Sequence, residues 1–193
     1  MTAYTGTQSE VIFANGFAYP AANAASASAQ SLITGASGKY QQPVFYGGFW
    51  QEGRSNQVST ADFVISITGQ ASATTAIITA GLNTAPNNII GSTLVASSAI
   101  TVTSFSSASF IGRLLISNFG SGYGTSSVST NLQSSMNLVY TNSATNGTNA
   151  AGPTALQTID FSVNQWLYLT VTFSTSSATN SATLQQFMVS GLN

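Results

Sequence analysis

Hydrophobic residues in this chain alternate with polar ones far more often than they recur at three- and four-residue spacing. Alternation is the mark of half-buried β-strands. In DFVISIT (Asp62 to Thr68), Phe63, Ile65 and Ile67 share one face while Val64, Ser66 and Thr68 share the other. AITVTSF repeats the device, with Ile100 and Val102 opposite Thr101 and Thr103. SFIGRLLISNF (Ser109 to Phe119) is apolar on both faces, which predicts a central strand covered on both sides. QTIDFSV, QWLYLTVTF and ATLQQFMVSGL supply strands near the C-terminus. Further strands are predicted at Val11 to Phe17, Val44 to Gln51, Thr75 to Leu82, Leu94 to Val95 and Met136 to Tyr140.

Turn chemistry separates these runs: GASGK, TAPNN, FGSGYG, NSATNGTNAAGP and TSSATNS. About ten short strands punctuated in this way predict an all-β sandwich or barrel. Tyr19 to Ile33 has the alanines of a helix but no amphipathic stripe, and its Ser and Asn compete for backbone hydrogen bonds. Helix, extended arm and irregular excursion therefore all stay open for it. Residues 1–37 are poorer in core-forming side chains than residues 38–193, so an N-terminal segment followed by one domain is expected.

Charge changes the picture most. Only Lys39, Arg54, Arg113, Glu10, Glu52, Asp62 and Asp160 are charged, which is 4% of 193 residues against about 25% in an ordinary soluble domain. The polar surface is therefore left mainly to thirty Ser, twenty-five Thr and fifteen Asn. A net charge of −1 offers no basic footprint to nucleic acid and no polybasic patch to a membrane. No run approaches the apolar length of a membrane-spanning helix. A surface so weakly charged carries little mutual repulsion, and its short side chains lose little entropy when fixed. It suits large polar contacts between subunits. The opening MTAYTGTQSE lacks a secretory pattern, so Asn146-Gly147-Thr148, although a glycosylation sequon, is read as a turn.

Candidate chemistry is scarce. Histidine and cysteine are both absent, which removes the commonest general base, the commonest metal ligand, thiolate nucleophiles and any Ser-His-Asp arrangement. No catalytic, cofactor-binding or metal-binding residue is assigned, and no enzyme activity is expected. Asp62 and Asp160 are each read as standing just before a strand, accepting backbone hydrogen bonds in a turn. Glu52 and Arg54 in WQEGRS suit a local ion pair or a neighbouring subunit. Arg113, in the most apolar strand, needs a partner, an outward orientation or an interface. Phe49 and Trp50, with Tyr46, form an aromatic cluster that suits core, interface or a stacked sugar. Phe49, Trp50, Glu52, Arg54 and Arg113 are thus the candidate interface residues.

The C-terminal third, IDFSVNQWLYLTVTFSTSSATNSATLQQFMVSGLN, resembles the ending of small virion proteins of tailed bacteriophages, and FWQEGRSNQ and GRLLISNFG are similar in kind. The resemblance covers about half the chain and rests on strand-and-turn grammar. It implies a jelly-roll-like β-sandwich; the extended N-terminal segment before Ser37, with too few large apolar side chains to pack a core of its own, is expected to reach outward as an arm. The resemblance also implies a homotrimer that contacts the major capsid protein or another virion protein, made in the host cytoplasm and placed on the capsid exterior. The function implied is a capsid decoration (cement) protein that stabilises the capsid. The alternative is a tail or fibre component that binds host-surface glycan. A jelly-roll coat protein ranks below both, because no Lys or Arg precedes Lys39 to face a genome. A carbohydrate-binding module outside viruses has neither a signal peptide nor an attached enzyme in this chain to support it.

Overall fold

The computed structural model describes residues 9–15, 22–23, 30–31, 57–68, 74–85, 92–102, 107–118, 128–142, 145–160, 163, 165–174 and 181–192. Among them there is no helix. The strands are β1 (Ser9–Asn15), β2 (Ala22–Asn23), β3 (Gln30–Ser31), β4 (Gln57–Thr68), β5 (Thr74–Asn83), β6 (Ser92–Ala96) and β7 (Ile100–Val102). They continue with β8 (Ser107–Asn118), β9 (Val128–Asn142), β10 (Thr145–Ala151), β11 (Gln157–Asp160), β12 (Trp166–Phe173) and β13 (Ser181–Leu192).

Two antiparallel sheets form a sandwich. The large sheet has the order β1-β13-β4-β8-β9-β10, with β11 also on β9 and β2 also on β13; the small sheet runs β3-β12-β5-β6, with β7 on β5. Strands distant in the chain pair in both sheets, β4 with β13 and β5 with β12, so non-local pairing builds the sandwich. Between the sheets lies one core, built from the faces that the alternation marks. Phe63, Ile65 and Ile67 of β4 meet Ile78 and Leu82 of β5 and Leu169, Val171 and Phe173 of β12, all at most 1% exposed. At one margin the sheets are stitched by polar contacts. Gln157 Nε2 donates to the Thr93 and Leu94 carbonyls at 2.7 and 3.3 Å, and Ser98 N–H donates to Asn149 Oδ1 at 3.3 Å.

Several expectations need correction. β8 is central, but among the described residues its second face is open: Ile111 is 60% exposed and Arg113 stands in solvent. NSATNGTNAAGP is not one long turn, because β10 runs through it and pairs residue for residue with β9; Gly147 lies opposite Tyr140. The Asn146-Gly147-Thr148 turn is accordingly a piece of strand. Strong cross-strand registration outweighs weak intrinsic β-propensity here. For Tyr19 to Ile33 the extended alternative agrees with residues 22–23 and 30–31, which are strand. Within residues 1–37, β1 and β2 pair with β13 and β3 pairs with β12. The strand expected at Val44 to Gln51 lies outside the described residues.

Two local devices shape the sheets. At Gln185 the register of β13 on β4 slips by one, since Leu184 faces Ile65 while Gln186 faces Val64. The extra residue is a β-bulge, and it lets Leu184 and Phe187, three apart, both point into the core while Gln185 and Gln186 both stay exposed. Elsewhere a glycine directly faces an aromatic ring across the ladder: Gly112 opposite Phe63, Gly81 opposite Tyr168 and Gly147 opposite Tyr140. A Cβ at Gly112 would fall 2.1 Å from the Phe63 ring, so the ring occupies the space that a side chain would need.

Candidate functional site

Among the described residues, the outer face of the large sheet brings together an exposed apolar row and an ion pair. β4, β8 and β9 lie side by side at its centre, so residues in register form rows across them. One row runs Gln186, Val64, Ile111, Val139 and Thr148 from β13 to β10. Beside it runs Met188, Asp62, Arg113, Asn137 and Ala150. Ile111 and Val139 are 60% and 53% exposed, and Val64 beside them is half-buried. Together with Asn137 and Gln186 they line a shallow, open depression of about 360 Å³.

Arg113 and Asp62 are direct cross-strand partners. The guanidinium donates through Nε to Asp62 Oδ1 at 2.6 Å and through an Nη to Oδ2 at 3.1 Å, a two-pronged contact. The hydrogen bond to Asp62, and after it the carboxylate's charge, raise the Arg113 pKa above the usual arginine value. With side chains 65% and 30% exposed, the pair is solvent-screened and contributes little to stability. Its effect on the surface matters more. It leaves the middle of the sheet electrically neutral, with the cation and anion side by side.

Of the predicted interface residues, Arg113 alone is described; it points outward and is paired, not buried in the core. Phe49, Trp50, Glu52 and Arg54 lie outside the described residues. Asp62 is not in a turn before a strand but six residues into β4, where it meets Arg113. Asp160 closes β11, and its carbonyl accepts a hydrogen bond from the Gln165 side chain. Val64, Ile111, Val139, Asn137 and Gln186 also belong to this face, though no motif marks them. Their alternation with core residues was the available signal, since it sets Val64 opposite Phe63 and Ile65.

The described residues include no group of three His, Cys, Asp or Glu able to hold a metal ion. Among the described residues lining the depression, the carboxylate of Asp62 is held by Arg113, so an apolar row with polar margins is what they present. Comparison with protein-family models and with curated proteins gives no match.

Proposed function

We propose that this chain is a non-enzymatic virion structural protein of the capsid-decoration kind, working as a trimer that also contacts a capsid protein. One observation carries the reading: the outer face of the large sheet sets an open apolar row beside a self-neutralised ion pair, with Ser, Thr, Asn and Gln around them. Such a face is adapted to contact and not to chemistry. It brings no uncompensated charge to desolvate, and its apolar centre gains on burial about 25 cal/mol per Å². Trimers and the capsid location rest on the resemblance of the C-terminal third to phage virion proteins.

The test has two parts. Light scattering of the purified chain across a salt series should give a constant mass above that of one copy, because screening has few ion pairs to act on. A monomer at micromolar concentration, or an oligomer that falls apart as salt rises, refutes assembly through this kind of surface. Location is decided by copy number in an intact particle. Many copies at quasi-threefold positions support decoration, whereas a few at one vertex transfer the chain to the tail or fibre reading, with glycan as the ligand to test.

A further inference from the structure

We propose that the occupant of the outer face is a second copy of the same chain, packed sheet against sheet about a twofold axis. This rests on reading that face as an assembly surface, and it names the partner and the geometry. The argument is one of self-complementarity. Consider an axis lying parallel to β4 and β8 and midway between them. Rotation about it places Asp62 of each copy over Arg113 of the other. The same rotation stacks Val64 over Ile111, because those two residues occupy the next row of the same two strands. It also sets Gln186 over Val139 and Met188 over Asn137, since β13 and β9 flank the central pair on either side.

Each consequence is favourable. The two ion pairs, already formed at 2.6 Å within each chain, are juxtaposed with opposite signs facing, so four charges form one neutral cluster. Ile111 and Val139 lose the 60% and 53% exposure that they have in the single chain. Facing strands stay nearly parallel to one another, which is the aligned mode of sheet packing, at about 10 Å between sheets. An isologous contact of this kind closes on itself, as most soluble homo-oligomers do. Added to a threefold, it joins one trimer to the next.

The chain has no cysteine, so introduced thiols have no background. Gln186 and Val139 sit three strand intervals apart in one chain, roughly 14 Å at about 4.8 Å per interval, yet face each other across the proposed axis. The variant carrying both Gln186→Cys and Val139→Cys, treated with a short bis-maleimide, should give a covalent dimer on a denaturing gel. Either single variant should not, because each position lies about 14 Å sideways from its own copy. Ile111→Lys, at an exposed site, should leave circular dichroism unchanged and halve the mass seen by light scattering. Failure of the double variant to cross-link, equal cross-linking by a single variant, or an unchanged mass for Ile111→Lys overturns the proposal. A wild-type mass above one copy together with such a failure leaves assembly standing and removes only this contact; a wild-type monomer removes both.

Discussion

Replacing Gly112 by alanine sets two effects of opposite sign against each other. In a strand interior, alanine normally gains about 0.5–1 kcal/mol over glycine, because the unfolded chain loses freedom. At Gly112 the new methyl would lie 2.1 Å from Cε2 and Cζ of Phe63 and 2.8 Å from Cδ2 of Leu138. Carbon atoms rest at about 3.5 Å or more, so the ring must retreat by roughly 1.4 Å. Phe63 is only 1% exposed and is packed in the core, so its retreat disturbs the neighbours that hold it. Overpacking of that kind costs about 1–3 kcal/mol, which outweighs the propensity gain over most of that range and leaves a net loss of up to about 2.5 kcal/mol. Guanidinium denaturation should show a lower midpoint with an unchanged slope. Gly147→Ala is the control: its methyl would meet the Tyr140 ring at 2.4 Å, but Tyr140 is only half-buried and can swing aside. That variant should be neutral or slightly stabilised. In a Phe63→Leu background the penalty at Gly112 should shrink, giving a coupling of about 0.5–3 kcal/mol. A neutral or stabilising Gly112→Ala, or equal losses at Gly112 and Gly147, would refute the reasoning.

Deleting Gln185 removes the bulge, so Leu184 and Phe187 can no longer both face inward; exposing one forfeits about 1.5–3 kcal/mol, and a glutamine is driven toward the core as well. Thermal melting should show a large loss for the deletion and almost none for Gln185→Thr. A double-mutant cycle on Asp62→Ala and Arg113→Ala under monomeric conditions should return about 0.2–1 kcal/mol, as for other exposed pairs, and several kcal/mol would contradict the solvent-screened geometry. Stability should be flat between about pH 6 and 8, measured by denaturation midpoints, since there is no His or Cys. Arg113 does not alter that: its raised pKa gives stability fully present below the ordinary arginine value and lost only as pH climbs through the raised one, far above neutral.

Much of the fold was legible because alternation maps directly onto faces. Phe63, Ile65 and Ile67 read as one face and form one face, and β5, β8, β12 and β13 fall within a residue or two of the predicted runs. What failed to read was non-local. β10 has the composition of a turn, and it is a strand because β9 presents a long edge to it. Asp62 resembles a turn residue until Arg113, 51 positions away, is seen to face it. The bulge hides for a different reason. In LQQF the two apolar residues are spaced three apart, which matches neither face of a regular strand, and only pairing with β4 shows where the extra residue goes.

β8 carries the most instructive mismatch. Its two apolar faces predict burial on both sides, and among the described residues one face is buried while Ile111 on the other is exposed. A hydrophobic pattern, however, records the environment in which a sequence works, which includes whatever it is assembled with. If a second copy lies across the large sheet, Val64 and Ile111 exchange places over each other and the outer face of β8 is covered as its sequence implies. The residue that looked most out of place in an apolar strand then fits as well. Arg113 is tolerable in the single chain because it is solvated and paired, and in the pair of chains because Asp62 of the partner subunit adds a second carboxylate above it. The hydrophobic pattern thus points to this surface as one that assembly would cover, and the ion pair, already neutral within each chain, is compatible with that covering.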